Sequence, residues 1–166
     1  LLSRDAAGVL QPGLATELPT QIDDTTWQFR LREDVKFHDG SAFNADSVVA
    51  SINRIVKLVV DGKTDNDGFY GSLTGAVKVD DTTVNITTAE PDGVLPARMY
   101  WLKMIPTSAE ATEDLSEALV GTGPYRFVSR TVGSDIKIEL NTDYWGDAPS
   151  ITKVTYEFVA ELARRT

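Results

Sequence analysis

A strict two-residue alternation from Thr26 to Leu31 is the tightest constraint in this chain. Trp27, Phe29 and Leu31 fall on one side and Gln28, Arg30 and Arg32 on the other, the period of a strand with one buried face. Glu33-Asp34 interrupts it, and Val35 and Phe37 resume the apolar side before an Asp39-Gly40 turn. The period then changes. Asn44 reads as a helix N-cap, with Phe43 before it and Val48 four residues on in the spacing of a hydrophobic staple. Val48, Val49, Ile52, Ile55, Val56 and Val59 follow as one stripe on a 3.6-residue period, which predicts an amphipathic helix.

Asp61 to Gly71 is polar and glycine-rich and reads as a loop. Val77 and Val79, a turn at Asp80-Asp81, and Val84 and Ile86 on the return predict a β-hairpin. Pro91 to Gly93 should open a short helix through Met99-Tyr100-Trp101-Leu102 that Pro106 closes. A second short helix is expected from Glu110 to Leu119, strands at 125–130, 135–140 and 152–159, and a helix-like stretch at 160–165. Helices and strands intermix without a regular βαβ repeat, so the fold class is α+β. At 166 residues the chain can bury one core, or one domain plus a piece of another.

Sixteen basic against twenty-five acidic side chains leave a formal charge of −9, which repels phosphate backbones and anionic membrane surfaces. The longest apolar run, within Ile55 to Val60, is broken by Lys57 and falls far short of the roughly 20 residues that span a bilayer. With no cysteine, there is no disulfide, thiolate metal site or cysteine nucleophile.

His38 is the single histidine, so a Ser-His-Asp or zinc reading has to run through it alone. Its place beside Asp39-Gly40 favours a turn residue whose imidazole bonds nearby backbone. The stretch from Asp61 to Gly68 looks like a calcium loop, but aligning Gly68 to the required glycine puts Lys63 at the first ligand position and Thr74 at the twelfth. Gly121-Thr122-Gly123 lacks the later glycine of a dinucleotide fingerprint and the Gly-Lys-Ser/Thr of a P-loop, and Pro124 removes a donor. Glycines supplying positive φ in a tight crossing are the expected alternative. The acid pairs Asp23-Asp24, Asp80-Asp81 and Glu113-Asp114 sit in polar stretches and read as ordinary surface rather than a glycosidase pair.

Two blocks nonetheless carry a resemblance. The first runs from Thr26 through Trp27, Phe29 and Arg32 to Val35-Lys36-Phe37-His38-Asp39-Gly40 and Asn44-Ala45-Asp46-Ser47-Val48. The second is Val120-Gly121-Thr122-Gly123-Pro124-Tyr125, followed by Asn141, Tyr144, Trp145 and Pro149. Together they resemble the bacterial extracytoplasmic solute-binding proteins of family 5, the peptide and nickel class that serves ABC importers. The resemblance implies a periplasmic-binding-protein-like fold (type II, cluster C). Residues 1–119 would form a small inserted mixed α/β domain with its N-terminal approach. Residues 120–166 would re-enter the β-rich, cleft-forming large lobe, with the Gly121-Gly123 block marking the crossing.

The motif residues Trp27, Phe29, Arg32, Phe37, Asp39, Gly40, Gly121, Gly123, Pro124, Tyr125, Tyr144 and Trp145 would be framework. By position along the family pattern, Phe69, Tyr70, Tyr100, Trp101 and Lys103 would approach the ligand. Rings of this kind offer flat, amphipathic contact at low entropic cost.

The implied function is capture, without catalysis, cofactor or metal, of an oligopeptide or other small polar solute. Delivery would be to ABC permease and ATPase subunits from the periplasm or a lipid anchor on the outer face of the cytoplasmic membrane. Family members are longer, and the chain starts at Leu1-Leu2-Ser3 without methionine, signal sequence or lipid-attachment cysteine, so it reads as a fragment. Two readings compete: an extracytoplasmic hydrolase using His38 with a carboxylate, which a locally bonded imidazole with no pocket around it would remove, and a protein-interaction module, which a large contiguous aromatic patch would favour.

Overall fold

A computed structural model describes residues 1–64, 66–112, 115–116 and 119–159. The sheet that the alternating stretch builds is four-stranded and antiparallel. It contains β3 (Thr20–Asp23), β4 (Thr26–Arg30), β5 (Leu73–Asp80) and β6 (Thr83–Thr88), in the order β3-β4-β6-β5. Register sets its inner face: Trp27 stands opposite Ile86 and Phe29 opposite Val84, and Phe29, Val84 and Ile86 are all fully buried. Leu31 extends the same face through a bridge to Ala15.

Helix α1 (Ala45–Val60) covers that face. Its N-terminus carries a reciprocal cap, with the Ser47 N–H donating to Asn44 Oδ1 at 3.1 Å and the Asn44 N–H to Ser47 Oγ at 3.2 Å. The expected cap is therefore present, and a serine takes the position where Glu or Gln is usual. Val48 and Ile52 point inward with no exposure. Ser51 is buried too, and its hydroxyl accepts the Ile105 N–H at 2.9 Å, fastening the 104–106 segment to the helix. Lys78 on β5 ties the helix start to the sheet through Asp46 at 2.7 Å, and also bonds Asp81 at 2.6 Å. These two carboxylates hold its ammonium above the usual lysine range.

The hairpin is where expected, with its turn one residue later, at Asp81-Thr82. Its outer strand faces the other way from a simple alternation. Bulges between Leu73 and Gly75 and between Lys78 and Asp80 put Ala76 and Lys78 opposite Ile86 and Val84. Val77 and Val79 therefore face solvent. The expected loop from Asp61 to Gly71 ends in a single turn, α2 (Asp67–Tyr70). The helix after Pro91-Gly93 is also short, α3 (Leu95–Arg98), and passes into turns at Met99 to Trp101.

A 3-10 turn at Thr107–Ala109 precedes the segment where a second helix is expected. Part of that helix lies outside the described residues, and 110–112, 115–116 and 119 are not helical. The helix-like stretch at 160–165 lies outside them as well. Two smaller antiparallel sheets complete the α+β architecture: β1 (Leu2–Arg4) with β2 (Leu10–Pro12), and the meander β7 (Tyr125–Thr131), β8 (Asp135–Leu140), β9 (Lys153–Glu157).

Every fully buried hydrophobic residue among those described lies between Leu1 and Ile105. The β7-β8-β9 sheet adds none. Replacing Phe29 by Ala should therefore cost on the order of 3–5 kcal/mol, whereas Val128→Ala on the open sheet should stay within about 0.5 kcal/mol. Urea titration of the two variants measures the difference, and equal midpoints would contradict this placement of the core.

Candidate functional site

His38 is the first central residue of a tight turn from Phe37 to Gly40. The Gly40 N–H donates to the Phe37 carbonyl at 2.9 Å, Asp39 Oδ1 accepts from the Ser41 N–H and hydroxyl at 2.9 and 2.6 Å, and Gly40 has φ +86°, where a side chain would be strained. The turn presents the imidazole to a remote segment. Its Nδ1 accepts the Gly121 N–H at 3.2 Å, its Nε2 lies 3.0 Å from the Gly123 carbonyl, and the His38 N–H donates to the Gly121 carbonyl at 2.9 Å. Since Nδ1 is the acceptor, the proton sits on Nε2 and is donated to Gly123. The backbone contact expected of His38 is thus made, 83 residues along the chain rather than within its own turn.

Other side chains converge on the same crossing. Asn141, buried, donates its Nδ2–H to the Gly123 carbonyl at 3.2 Å, and the Trp145 indole N–H donates to the Thr122 carbonyl at 3.1 Å. Arg32 stacks its guanidinium 4.7 Å from the Trp145 ring centre and donates from Nε to the Gly13 carbonyl at 2.8 Å. Gly13 itself lies against β1, where a Cβ would stand 3.0 Å from the Leu1 carbonyl oxygen. Neither Gly121 nor Gly123 has positive φ, which corrects the expected reason for the glycines. What the crossing supplies is a bare run of carbonyls and amides, read by His38, Asn141 and Trp145.

A cleft of about 780 Å³ opens beside this junction. One wall comes from β1, the Pro12-Leu14 segment, Tyr100 and Leu102 to Ile105; the other comes from Gly121 to Gly123, Tyr125, Phe127, Ile136, Ile138, Tyr144 and Trp145. His38 stands in its wall and also borders a smaller cavity of about 370 Å³, where Arg126 and Glu139 pair at 2.6 Å.

Of the five ligand-side candidates, Tyr100 and Lys103 line the larger cleft. Trp101 does not; it is largely exposed and meets the Tyr100 ring edge-on at 4.8 Å. Tyr70 is a core residue whose phenol is raised above the ordinary tyrosine range by burial. Phe69 lies 5.7 Å from the Arg98 guanidinium. That arginine belongs to a compact network in which its Nη1 bonds Asp92 Oδ2 at 2.5 Å and Ser72 Oγ at 2.7 Å. The turn α2 thus carries both rings toward the helical layer and away from the cleft. Arg4, whose guanidinium lies 5.2 Å from the Tyr100 ring centre, was overlooked in the sequence, and Asn141, named there only as part of the motif, has a role that depends on a bond invisible in one dimension.

The sequence model of the bacterial extracellular solute-binding proteins, family 5 (middle), matches residues 9–166, and the chain belongs to this family. Protein XP55 of Streptomyces lividans is 33% identical over 97% of this chain and 30% of its own length. The glutathione-binding protein GsiB of Pectobacterium atrosepticum is 29% identical over 89% of this chain and 29% of its own. Among solved structures, the binding protein MoaA of A. tumefaciens in complex with mannopinic acid superposes with a TM-score of 0.85 at 27% identity, covering 99% of this chain and 35% of that one. The chain thus spans about a third of the length of the relatives it matches.

Removing the imidazole leaves the Gly121 N–H without its acceptor. His38→Ala should cost about 1–3 kcal/mol, and His38→Gln, which keeps a donor and an acceptor, should recover part of it. With one imidazole in the chain, a two-bond ¹H–¹⁵N spectrum should show the proton on Nε2. An unchanged stability in His38→Ala, or a proton found on Nδ1, would break the assignment.

Proposed function

We propose that this chain forms one side of a solute-binding cleft in an extracytoplasmic capture protein that delivers its cargo to an ABC importer's permease and ATPase subunits. The observation that carries the reading is the cleft of about 780 Å³ between Tyr100 to Ile105 and the Gly121 to Tyr125 crossing, in a chain that belongs to a solute-binding family. Large apolar walls with a few placed polar groups are what a small-molecule site needs. Residues 1–119 act as the small domain and 120–166 as the start of the larger lobe; the confinement of the core to Leu1 through Ile105 supports this division.

The β7-β8-β9 sheet supports the idea of a second wall. It lines the cleft with Phe127, Ile136 and Ile138 and also exposes Val128 and Tyr156, with Phe158 just beyond β9, which is apolar area for further protein to cover. In a two-lobed protein the solute would touch both lobes in the closed state and shift the equilibrium toward it.

Peptide is the leading solute class. GsiB is named for binding glutathione, a short peptide, while MoaA was solved with mannopinic acid, so the same frame serves other small organic solutes in its relatives. Binding proceeds without turnover: His38, the single imidazole, has both ring nitrogens engaged by backbone and none left to act as a base.

Half a cleft forfeits most of the contacts. Each tenfold loss of affinity is about 1.4 kcal/mol, so the 166-residue chain alone should bind mixed di- to pentapeptides only at about millimolar levels, against roughly micromolar for the protein at its natural length. Calorimetric titration of both compares them. Micromolar binding by the chain alone would show that its site is self-contained, and peptide hydrolysis lost in His38→Gln would replace capture by catalysis.

A further inference from the structure

Three side chains bond the backbone of the Gly121 to Gly123 crossing, and one of them is able to change its charge. Asn141 and the Trp145 indole carry no titratable group. His38 is the third, and imidazole is the side chain that ordinarily exchanges its charge between about pH 5 and 8. The ring is half-buried and stands in the walls of both cavities, so water and protons reach it.

The two ring nitrogens respond differently to a second proton. Nε2 already donates to the Gly123 carbonyl at 3.0 Å, and that bond survives. Nδ1 accepts the Gly121 N–H at 3.2 Å through its lone pair, and a proton there turns the acceptor into a donor. Two N–H groups would then face each other. The ring lies close against the crossing at this point, since a side-chain carbon on Gly121 would stand 3.7 Å from His38 Cε1.

No neighbour is bonded to the ring in a way that would take over. The turn that carries His38 offers Asp39, whose Oδ1 accepts from Ser41. The larger cleft adds the cations Arg32 and Lys103 and the phenols of Tyr100, Tyr125 and Tyr144. The smaller cavity adds Arg126 and Glu139, which pair with each other at 2.6 Å. Among the described residues the ring nitrogens bond backbone alone. The loss is felt because the β7-β8-β9 sheet brings no fully buried hydrophobic residue of its own to hold it in place.

We infer that His38 is an acid-sensitive latch: with one ring proton it fastens the β7-β8-β9 sheet to the four-stranded sheet and α1, and with two it releases the Gly121 amide and loosens that attachment. The attachment is complete above the imidazole range and weakens as the pH falls through it. The latch follows from the geometry of the crossing and holds whether or not the cleft takes a solute.

The test is hydrogen exchange of the protein at its natural length, read by mass spectrometry at about pH 7.5 and about pH 5 and corrected for the intrinsic rate at each pH. Exchange over residues 121–131 should rise about tenfold or more at the lower pH, while α1 and the β4-β6 pair keep their protection. His38→Gln retains a donor and an acceptor but does not titrate, so its exchange over 121–131 should be the same at both pH values. In the unaltered protein the rise should also follow the ¹⁵N shift of the His38 ring, a reading that needs no variant. Unchanged exchange over 121–131 would overturn the latch. So would a rise spread evenly over α1 and β4-β6, one that persists in His38→Gln, or one that does not follow the ring.

Discussion

The backbone of Gly121 to Gly123 is the point on which the structure depends. Polar backbone groups removed from water must find partners, and this segment has no strand beside it to supply them. Side chains supply them instead, together with the His38 N–H on the Gly121 carbonyl. His38 both accepts and donates, Asn141 shares the Gly123 carbonyl, and Trp145 takes that of Thr122. Because Trp145 also carries the Arg32 guanidinium, the same ring couples the crossing to the end of the alternating strand segment. The β7-β8-β9 sheet is therefore held to the rest of the chain by hydrogen bonds and one stacked cation rather than by shared fully buried apolar side chains.

That mode of attachment explains why a cleft exists here. A continuous hydrophobic core would have closed the space between Tyr100 to Ile105 and β7-β8, since apolar faces pack to near-solid density when they can. Directional bonds at one edge fix the sheet at a set spacing and leave its half-buried face, with Phe127 and Ile138, lining open volume. The loss of fully buried area is a cost, and with three strands the sheet is at the lower limit for standing on a hydrophobic face of its own.

Period and capping made much of this fold legible in the sequence. The strand at Thr26, helix α1 with Asn44 at its start, the hairpin and the three C-terminal strands all follow from local patterns. The misses have a common cause, which is that they turn on geometry rather than composition. Two bulges reversed the exposure of Val77 and Val79, and α3 stopped at Arg98, where one turn sufficed to bury Leu95 and Met99. Tyr100 and Lys103 reach the cleft, while Phe69 and Tyr70, equally aromatic, are carried elsewhere by a single helical turn. Arg4 carried no signal at all. Its relation to Tyr100 comes from β1, whose first residues pack against Met99 through the Leu2 N–H.

The acidity of the chain and the cationic wall of its cleft act over different distances. A net charge of −9 repels anions from afar. At physiological salt, however, that field is screened beyond about 8 Å. Within that range what counts is the local arrangement, and here the described lining holds Arg32 and Lys103 with no carboxylate to offset them. The acids are used elsewhere: Asp46 and Asp81 on Lys78, Asp92 on Arg98, Glu139 on Arg126, and Asp5 on its own loop. Pairing so many acids with specific cations or backbone donors keeps the acidic surface compatible with a cationic cleft wall. The same partition lets a strongly acidic chain keep cations in this wall with no carboxylate beside them among the described lining residues.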